Sequence, residues 1–239
     1  MKILGIIPVR GGSKGIPNKN KKKLLGKPLL QYTVEAALGA KYLDRVIVSS
    51  EDADLISIAK SLGVDVPFVR PASLATDSSG SLEVVKHAIT FLDSRNEHYD
   101  AICLLQVTTP FRTSLDIDLA VKKFLDGVND TLLSVQKVPH HYNPHWTFLV
   151  SEKGTLNIAT NDLEIIKRRQ DLPDAFIRDG SIYITKTNTI IENNSLYGES
   201  IGYIETDSSR YVNIDTLEDW INAEQILKKE LKLKSNKKV

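Results

Sequence analysis

The sequence predicts an α/β fold, in which helices cover both faces of a mostly parallel β-sheet. Over the first two-thirds of the 239-residue chain, short aliphatic and β-branched runs alternate with segments whose apolar residues recur at helical spacing. This βαβα alternation is typical of parallel sheets, because each crossover lays a helix on one face of the sheet. Ligands of such sheets bind beyond the carboxyl ends of the strands, so we expect the functional residues in the loops at that edge.

Strands and helices are expected in a regular order along the chain. The strands are predicted at residues 2–9, 45–50, 66–69, 101–105, 131–135, 181–185 and 202–204. Between them, helices are predicted at residues 29–40, 53–62 and 82–92, and from about residue 114. Pro28 and Gly39 delimit the first helix, since proline favours the first turn and glycine the end. Thr216 and Asp219 match a capping box that opens a last helix through residue 231, followed by a basic tail that we expect to fray.

Residues 137–178 depart from this alternation. The segment is rich in proline, histidine and aromatic residues, and Lys153-Gly154 predicts the turn of a hairpin. Its three histidines do not predict a metal site, because prolines interrupt the helical spacing that would bring their rings together. We interpret residues 137–178 as an excursion from the sheet, either a lid or a dimerisation arm, within a single domain comprising residues 1–239.

Composition and charge exclude several classes of function. The 31 Lys and Arg residues are balanced by 30 Asp and Glu residues, whereas proteins that bind nucleic acid usually carry a marked basic excess. Cys103 is the single cysteine, so no internal disulfide can form and an intracellular setting is expected. No apolar run approaches the length of a membrane span, and none matches a signal peptide. The sequence therefore predicts a cytoplasmic protein without nucleic-acid or membrane partners.

The strongest functional signal is the loop after the first predicted strand. Glycines 11, 12 and 15 allow backbone N–H groups to converge on an anion, and Arg10, Lys14 and Lys19 add positive charge around them. A bound triphosphate needs both features, because its charges repel one another and its pyrophosphate leaving group needs stabilising. The loop matches neither the Walker A motif nor the dinucleotide-binding fingerprint. The alternative is a solvated basic turn.

This loop, from Pro8 to Asn20, closely resembles the signature segment of the acylneuraminate cytidylyltransferases. Further segments resemble that family in order along nearly the whole chain: Arg70-Pro71, Asp77 with Ser81, residues 104–112, 168–173 and 179–184, and Asn213 to Thr216. The resemblance implies a three-layer, Rossmann-like nucleotide-diphosphosugar transferase fold with an inserted dimerisation and sugar-binding arm at residues 137–178. It also implies transfer of CMP from CTP to the anomeric hydroxyl of a nine-carbon 2-keto sugar acid, with release of pyrophosphate, by a homodimer.

The resemblance further implies roles for individual residues. Those expected to hold the nucleotide are Arg10, Ser13, Lys14 and Lys19 at the phosphates, Asn20 close by, and Arg70 and Ser81 at the cytosine and ribose. Gln106 is expected to face the sugar, and Arg169 to bind the sugar carboxylate from the neighbouring subunit. The alternatives for Arg70 and Gln106 are a surface salt bridge and a structural amide.

Asp215 is the expected ligand of Mg²⁺, because a hard cation prefers carboxylate oxygen and would bridge to the phosphates of CTP. We assign catalysis to Arg10, Lys19 and Asp215; no general base is identified. The alternative for Asp215 is a neighbour of a helix cap, given Thr216. Asn213 replaces the usual first aspartate of this segment, and Asp179 replaces the usual asparagine of another, which would fit a subfamily for a related sugar such as legionaminic acid.

Two rival functions remain open from the sequence. The first is a cytidylyltransferase for another acid, such as an eight-carbon keto-deoxy sugar; the segment at residues 168–173 favours the nine-carbon group. The second is a catalytically silent nucleotide-binding protein, which Asn213 would support and which Asp215 and the complete phosphate loop oppose.

Overall fold

The computed structural model describes residues 1–236. Its centre is a six-stranded sheet in the order β10-β6-β9-β5-β1-β4. These strands are β1 (Ile3–Pro8), β4 (Arg45–Ser49), β5 (Ala101–Leu104), β6 (Thr131–Lys137), β9 (Phe176–Lys186) and β10 (Ile201–Glu205). Five of them run parallel, and β9 runs antiparallel to its neighbours β5 and β6. The prediction of a mostly parallel sheet is therefore confirmed, and the antiparallel direction of β9 was not anticipated.

Helices cover both faces of this sheet and make three layers. They are α1 (Leu29–Leu38), α2 (Ala53–Ser61), α3 (Ser81–Asp93), α4 (Ser114–Asp126), α5 (Thr187–Glu192) and α6 (Leu217–Asn236). Alternate residues of β1 enter opposite hydrophobic cores, because successive side chains of a strand point to opposite faces. Ile3 and Ile7 pack with α1, α2, α4 and α6, whereas Leu4 and Ile6 pack with α3 and α5. Burial of each such aliphatic side chain contributes about 1.5–3 kcal/mol.

The predicted third strand at residues 66–69 is wrong. The chain makes one isolated bridge, between Asp65 and Ile47, and then leaves the sheet. Pro67 has no N–H to donate to a ladder, and Val69 is exposed, so neither residue favours a paired strand here. Arg70 N nevertheless donates to Ser50 O at 2.9 Å, which keeps the loop that follows beside the end of β4.

The predicted start of the last helix is confirmed. Thr216 Oγ1 accepts a hydrogen bond from Asp219 N at 3.2 Å, and Asp219 Oδ2 accepts one from Thr216 N at 2.7 Å. This reciprocal pair is a capping box in which aspartate takes the place of glutamate. The helix extends beyond residue 231, to Asn236; the end of the tail expected to fray, residues 237–239, lies outside the described residues.

The excursion contains the predicted hairpin. Two short strands, β7 (Phe148–Val150) and β8 (Leu156–Ile158), form a separate antiparallel sheet, and Gly154 between them has a φ of +74°. A second two-stranded sheet, β2 (Lys23–Leu24) with β3 (Lys27–Pro28), lies before α1. Within residues 1–236, no helix combines the length and the apolar character needed to cross a membrane.

Candidate active site

An open cleft of about 470 Å³ lies beyond the carboxyl ends of β1 and β5. The loop after β1 forms one wall, the segment from Arg70 to α3 forms another, and the loops after β5 and before α6 close it. The cleft is lined by every residue assigned to the site from the sequence except Arg169, namely Arg10, Ser13, Lys14, Lys19, Asn20, Arg70, Ser81, Gln106 and Asp215. The fold thus brings together side chains that lie as many as 205 positions apart in the chain, those of Arg10 and Asp215.

In the loop after β1, Gly11 and Gly15 are required by close packing and not by an unusual backbone conformation. A Cβ atom at Gly15 would lie 2.0 Å from the carbonyl oxygen of Asp215, and one at Gly11 would lie 2.3 Å from the carboxylate of Asp52. A Cβ at Gly12 would meet no atom within 4 Å. The Gly11 N–H already donates to Glu51 Oε1 at 2.8 Å. It is therefore not free to bind an anion, contrary to the expectation from the sequence.

Two cations of the loop share one carboxylate. Arg10 Nη1 lies 2.8 Å from Asp77 Oδ1, and Lys14 Nζ lies 3.0 Å from Asp77 Oδ2. The hydrogen bond from Lys14, followed by that from Arg10, lowers the pKa of Asp77 below its ordinary value, so the carboxylate is charged at neutral pH. Asp77 therefore supplies the negative charge that a bound phosphate would bring to the same two side chains.

We expect Asp77→Asn to lower KM for a nucleoside triphosphate by about two- to fivefold, because the Asp77 carboxylate competes with the ligand for Arg10 and Lys14, and exposed ion pairs are weak. Arg10→Ala is expected to act in the opposite direction and to weaken triphosphate binding by about 1–3 kcal/mol. Steady-state kinetics of the two variants check that KM falls in Asp77→Asn and rises in Arg10→Ala. A higher KM for Asp77→Asn would mean that the carboxylate assists binding instead of competing, and unchanged kinetics for Arg10→Ala would remove Arg10 from the site.

Arg70 is held rigidly at the wall of the cleft. Its side chain is 4% exposed, and Nη2 donates to Glu51 Oε2 at 2.7 Å and to the carbonyl oxygen of Val9. Its Nε has no hydrogen-bond partner within the described chain. The salt-bridge alternative is therefore correct in part, since Arg70 is paired and also lines the cleft. Glu51, which joins Arg70 to the Gly11 loop, was missed from the sequence, although its place directly after β4 was a usable signal.

Lys19 and Asp215 connect the first loop to the last. Lys19 is 8% exposed, and its Nζ lies 2.9 Å from Asp215 Oδ1 and also donates to the carbonyl oxygen of Ile214. Asn213 Nδ2 donates to Asp215 Oδ2 at 2.7 Å. The Asp215 side chain remains 60% exposed, towards the cleft that it lines. The α6 cap uses Thr216 and Asp219, so the Asp215 carboxylate is not needed for capping.

Comparison with known proteins identifies the family. The family model described as cytidylyltransferase matches residues 4–238, nearly the whole chain. The chain belongs to the cytidylyltransferase family.

Curated relatives of this cytidylyltransferase carry three different sugar-acid names. A pseudaminic acid cytidylyltransferase of Campylobacter jejuni is 32% identical over 92% of this chain and 93% of its own. A CMP-N,N'-diacetyllegionaminic acid synthase of Legionella pneumophila is 33% identical over 95% of this chain and 97% of its own. An N-acylneuraminate cytidylyltransferase of Escherichia coli is 34% identical over 92% of this chain and 50% of its own. The resemblance drawn from the motifs is thereby confirmed.

A solved structure confirms the fold. The CMP:2-keto-3-deoxy-manno-octonic acid synthetase, solved in complex with CTP, aligns over 96% of this chain and 100% of its own with a TM-score of 0.70. Its sequence identity to this chain is 16%, so the likeness concerns the fold alone. The predicted Rossmann-like, three-layer arrangement of the transferase fold is correct.

Arg169 lies away from the cleft of the cytidylyltransferase. It sits in a short 3₁₀ turn of the excursion, and its Nε donates to His140 Nδ1 at 3.2 Å. Within residues 1–236 of a single chain, nothing brings its guanidinium to the other assigned residues. A role at the sugar would need the arm of a second copy, as the resemblance implied.

Two further charged residues of the family segments, Arg112 and Asp179, are buried beside the cleft. Arg112 donates to Ser181 Oγ, Thr33 Oγ1 and the carbonyl oxygen of Gln106, and burial lowers its pKa to about 10. Asp179 accepts hydrogen bonds from Ser181 N at 2.8 Å and from the hydroxyls of Ser134 and Thr206. These donors occupy the Asp179 carboxylate, which does not line the cleft. By donating to the backbone carbonyl oxygen of Gln106, Arg112 helps to hold Gln106 in position.

Proposed function

We propose that this cytidylyltransferase joins CMP from CTP to the anomeric hydroxyl of a nine-carbon 2-keto sugar acid and releases pyrophosphate. One observation carries the proposal: Arg10, Lys14 and Lys19 line the same cleft as the exposed carboxylate of Asp215, at the strand ends where this class of fold binds ligands. Three cations suit a triphosphate, and a carboxylate beside them suits the metal that accompanies it. The names of the relatives support a sugar acid as acceptor.

In the proposed reaction, the anomeric oxygen attacks the α-phosphorus of CTP. A new O–P bond forms, the bond between the α-phosphorus and the bridging oxygen breaks, and the hydroxyl proton is lost. Catalysis of this kind depends on positioning and on neutralising charge. Arg10 and Lys14, released from Asp77, would bind phosphate oxygens, and Lys19 would add a fixed charge from its buried position. Arg70 and Ser81 would hold the base and ribose at the opposite wall.

The residues present fit a magnesium ion that binds together with the nucleotide. Within the described part of the chain, no three His, Cys, Asp or Glu side chains converge into a metal site of their own. Mg²⁺ is usually held by one or two carboxylates together with substrate phosphates, so Asp215 alone can supply the carboxylate that the protein must contribute. Asn213 would contribute at most a neutral amide oxygen. When bound, the ion would supply charge stabilisation at the phosphates and acidify the attacking hydroxyl.

The proposed function is tested by following pyrophosphate release with CTP, Mg²⁺ and a panel of keto sugar acids. The panel contains pseudaminic, legionaminic and N-acetylneuraminic acids and the eight-carbon 2-keto-3-deoxy-manno-octonic acid. We expect release with at least one nine-carbon acid and at most traces with the eight-carbon acid. Preference for the eight-carbon acid would establish the first rival. CTP binding without release for any acid would establish a silent nucleotide-binding protein.

We also propose that the enzyme is a homodimer joined through the arm at residues 137–178. The arm exposes several apolar side chains, including Leu149 at 61%, Leu156 at 62% and Leu163 at 101%. Large exposed apolar side chains gathered in one segment are typical of an interaction surface. A second copy is the expected partner, because only a second copy's arm could bring Arg169 to a sugar in the cleft.

Light scattering at micromolar concentration is expected to give twice the 26.6 kDa mass of one chain. Leu156→Glu should shift this mass towards one chain, because a charge would be buried in the interface. Val128→Glu is the matched control, since Val128 is 90% exposed and lies outside the arm. A strict monomer with full activity would refute both the dimer and a contribution from the partner's arm.

A further inference from the structure

Glu51 connects the two ends of the nucleotide cleft, although its own side chain does not line the cleft. Its Oε1 accepts a hydrogen bond from the Gly11 N–H at 2.8 Å, and its Oε2 accepts one from Arg70 Nη2 at 2.7 Å. Gly11 belongs to the loop that carries Arg10 and Lys14, whereas Arg70 belongs to the wall at which the base is proposed to bind. One carboxylate therefore contacts both the phosphate loop and the base wall from behind.

The segment that carries Glu51 is itself fixed in place. It directly follows β4, and the backbone of Ser50 accepts a hydrogen bond from Arg70 N at 2.9 Å. The next residue, Asp52, caps α2 by accepting a hydrogen bond from Leu55 N at 2.9 Å. The backbone on both sides of Glu51 is thus anchored to regular structure, which limits the positions that its carboxylate can take.

The contacts of Glu51 require two acceptor atoms on one side chain. The Gly11 N–H and Arg70 Nη2 are both donors, and they meet different oxygen atoms of Glu51. The amide of glutamine has the same size and shape as this carboxylate, but it has a single oxygen, and its nitrogen is a donor. Glu51→Gln would therefore satisfy one of the two donors and leave the other facing an N–H group, whichever way the amide is turned.

Burial makes the pair of Glu51 and Arg70 differ from the ion pair at the phosphate end. The Arg70 side chain is 4% exposed and that of Glu51 is 21% exposed, whereas Lys14 is 77% exposed and its partner Asp77 is 50% exposed. Exposed pairs are weak and give way to a ligand, but a pair withdrawn from water is costly to separate. Phosphate can thus displace Asp77, while Glu51 stays on Arg70. Arg70 then meets the ligand as part of a neutral pair, which suits an uncharged base better than a phosphate.

We propose that Glu51 is a positioning residue that orients Arg70 for discrimination between cytosine and uracil. This inference rests on the proposed function, because that function places the base of CTP at Arg70. The N3 atom on the pairing edge of the base is an acceptor in cytosine and an N–H donor in uracil. A guanidinium N–H held in one orientation at this edge donates to cytosine and opposes the N–H of uracil. A guanidinium that is free to turn away loses this discrimination.

The test is a double-mutant cycle in which calorimetry with Mg²⁺ measures the ratio of the dissociation constants of UTP and CTP. The wild type should prefer CTP, and Glu51→Gln and Arg70→Met should each reduce this preference by about 10-fold or more, the loss typical of one hydrogen bond to a charged group. The double variant should show the preference of Arg70→Met alone, because Glu51 acts through Arg70. Asp54→Asn is the matched control: its carboxylate is 77% exposed and pairs with Lys21, so this variant should keep the wild-type preference.

Three results would overturn the inference. If Glu51→Gln keeps the wild-type preference, Glu51 does not orient Arg70, and if Arg70→Met keeps it, Arg70 does not discriminate between the bases. If the two losses multiply in the double variant, Glu51 affects binding independently of Arg70.

Thermal unfolding without nucleotide checks the fold of each variant. Should Glu51→Gln alone fail to fold, the double variant, which removes both charges of the buried pair, is compared with Arg70→Met and gives the same decision. Failure of the proposed function is a separate outcome, because it would appear as the absence of pyrophosphate release from CTP with every sugar acid, whatever the base preference.

Discussion

Asp215→Asn is expected to lower magnesium-dependent turnover by about 100- to 1,000-fold, the usual cost of removing one preorganised electrostatic contact at a reacting centre. Asp215 supplies the protein's carboxylate beside Lys19 in the cleft, and an amide binds Mg²⁺ far less well. The fold should be unaffected, because the side chain is 60% exposed and the helix cap uses its neighbours. Turnover across a magnesium titration, with circular dichroism as the folding check, measures the effect.

Asn213→Asp is the matched variant for this prediction. Asn213 Nδ2 now donates to Asp215 Oδ2, so the substitution removes a hydrogen bond and places two carboxylates together. A bound cation relieves that repulsion, and we therefore expect retained activity with a lower magnesium requirement. Wild-type turnover and metal dependence in Asp215→Asn would show that the assigned metal site is wrong.

Gly15→Ala is expected to have the second-largest effect, a loss of CTP binding of about 100-fold or more. The added Cβ would lie 2.0 Å from the carbonyl oxygen of Asp215, a backbone atom that cannot rotate away. Either the phosphate loop or the segment carrying Asp215 must move, and small displacements of positioned groups are costly to catalysis.

Gly12→Ala is the control for that prediction, because a Cβ at Gly12 meets nothing within 4 Å. Both variants add one methyl group to the same loop, so they differ in the contact alone. Calorimetric titration with CTP compares them, and thermal unfolding reports on the fold. Equal CTP affinity in the two variants would show that contact between the loop and Asp215 does not organise the site.

The local chemistry of the site could be predicted from the sequence, whereas its long-range pairings could not. Arg10, Lys14 and Lys19 stand in one loop with its glycines, so short-range spacing was enough to indicate an anion site. The approach of Gly15 to Asp215 joins segments from opposite ends of the chain, and only the folded sheet creates it. The pairing of Asp77 with two loop cations is of the same kind.

Errors in the predicted fold have similar causes. The apolar residues at 66–69 satisfied a strand pattern, but Pro67 interrupts the ladder and the pattern alone cannot show pairing. The direction of β9 depends on the path of the excursion that precedes it, which carries no local signal. The bulge in β9 depends on Gly180 and on pairing with β6, so no local pattern in the sequence indicates it.

Transfer of CMP is tested most directly by following labelled phosphate from CTP into the products. The enzyme is supplied with Mg²⁺ and its preferred nine-carbon acid, together with CTP labelled at the α-phosphate or, in a parallel reaction, at the γ-phosphate. The account predicts that the α label appears in a sugar conjugate that also contains cytidine, and that the γ label appears in pyrophosphate. Transfer of the γ label to the sugar, or release of the α label as free CMP without a conjugate, would contradict it.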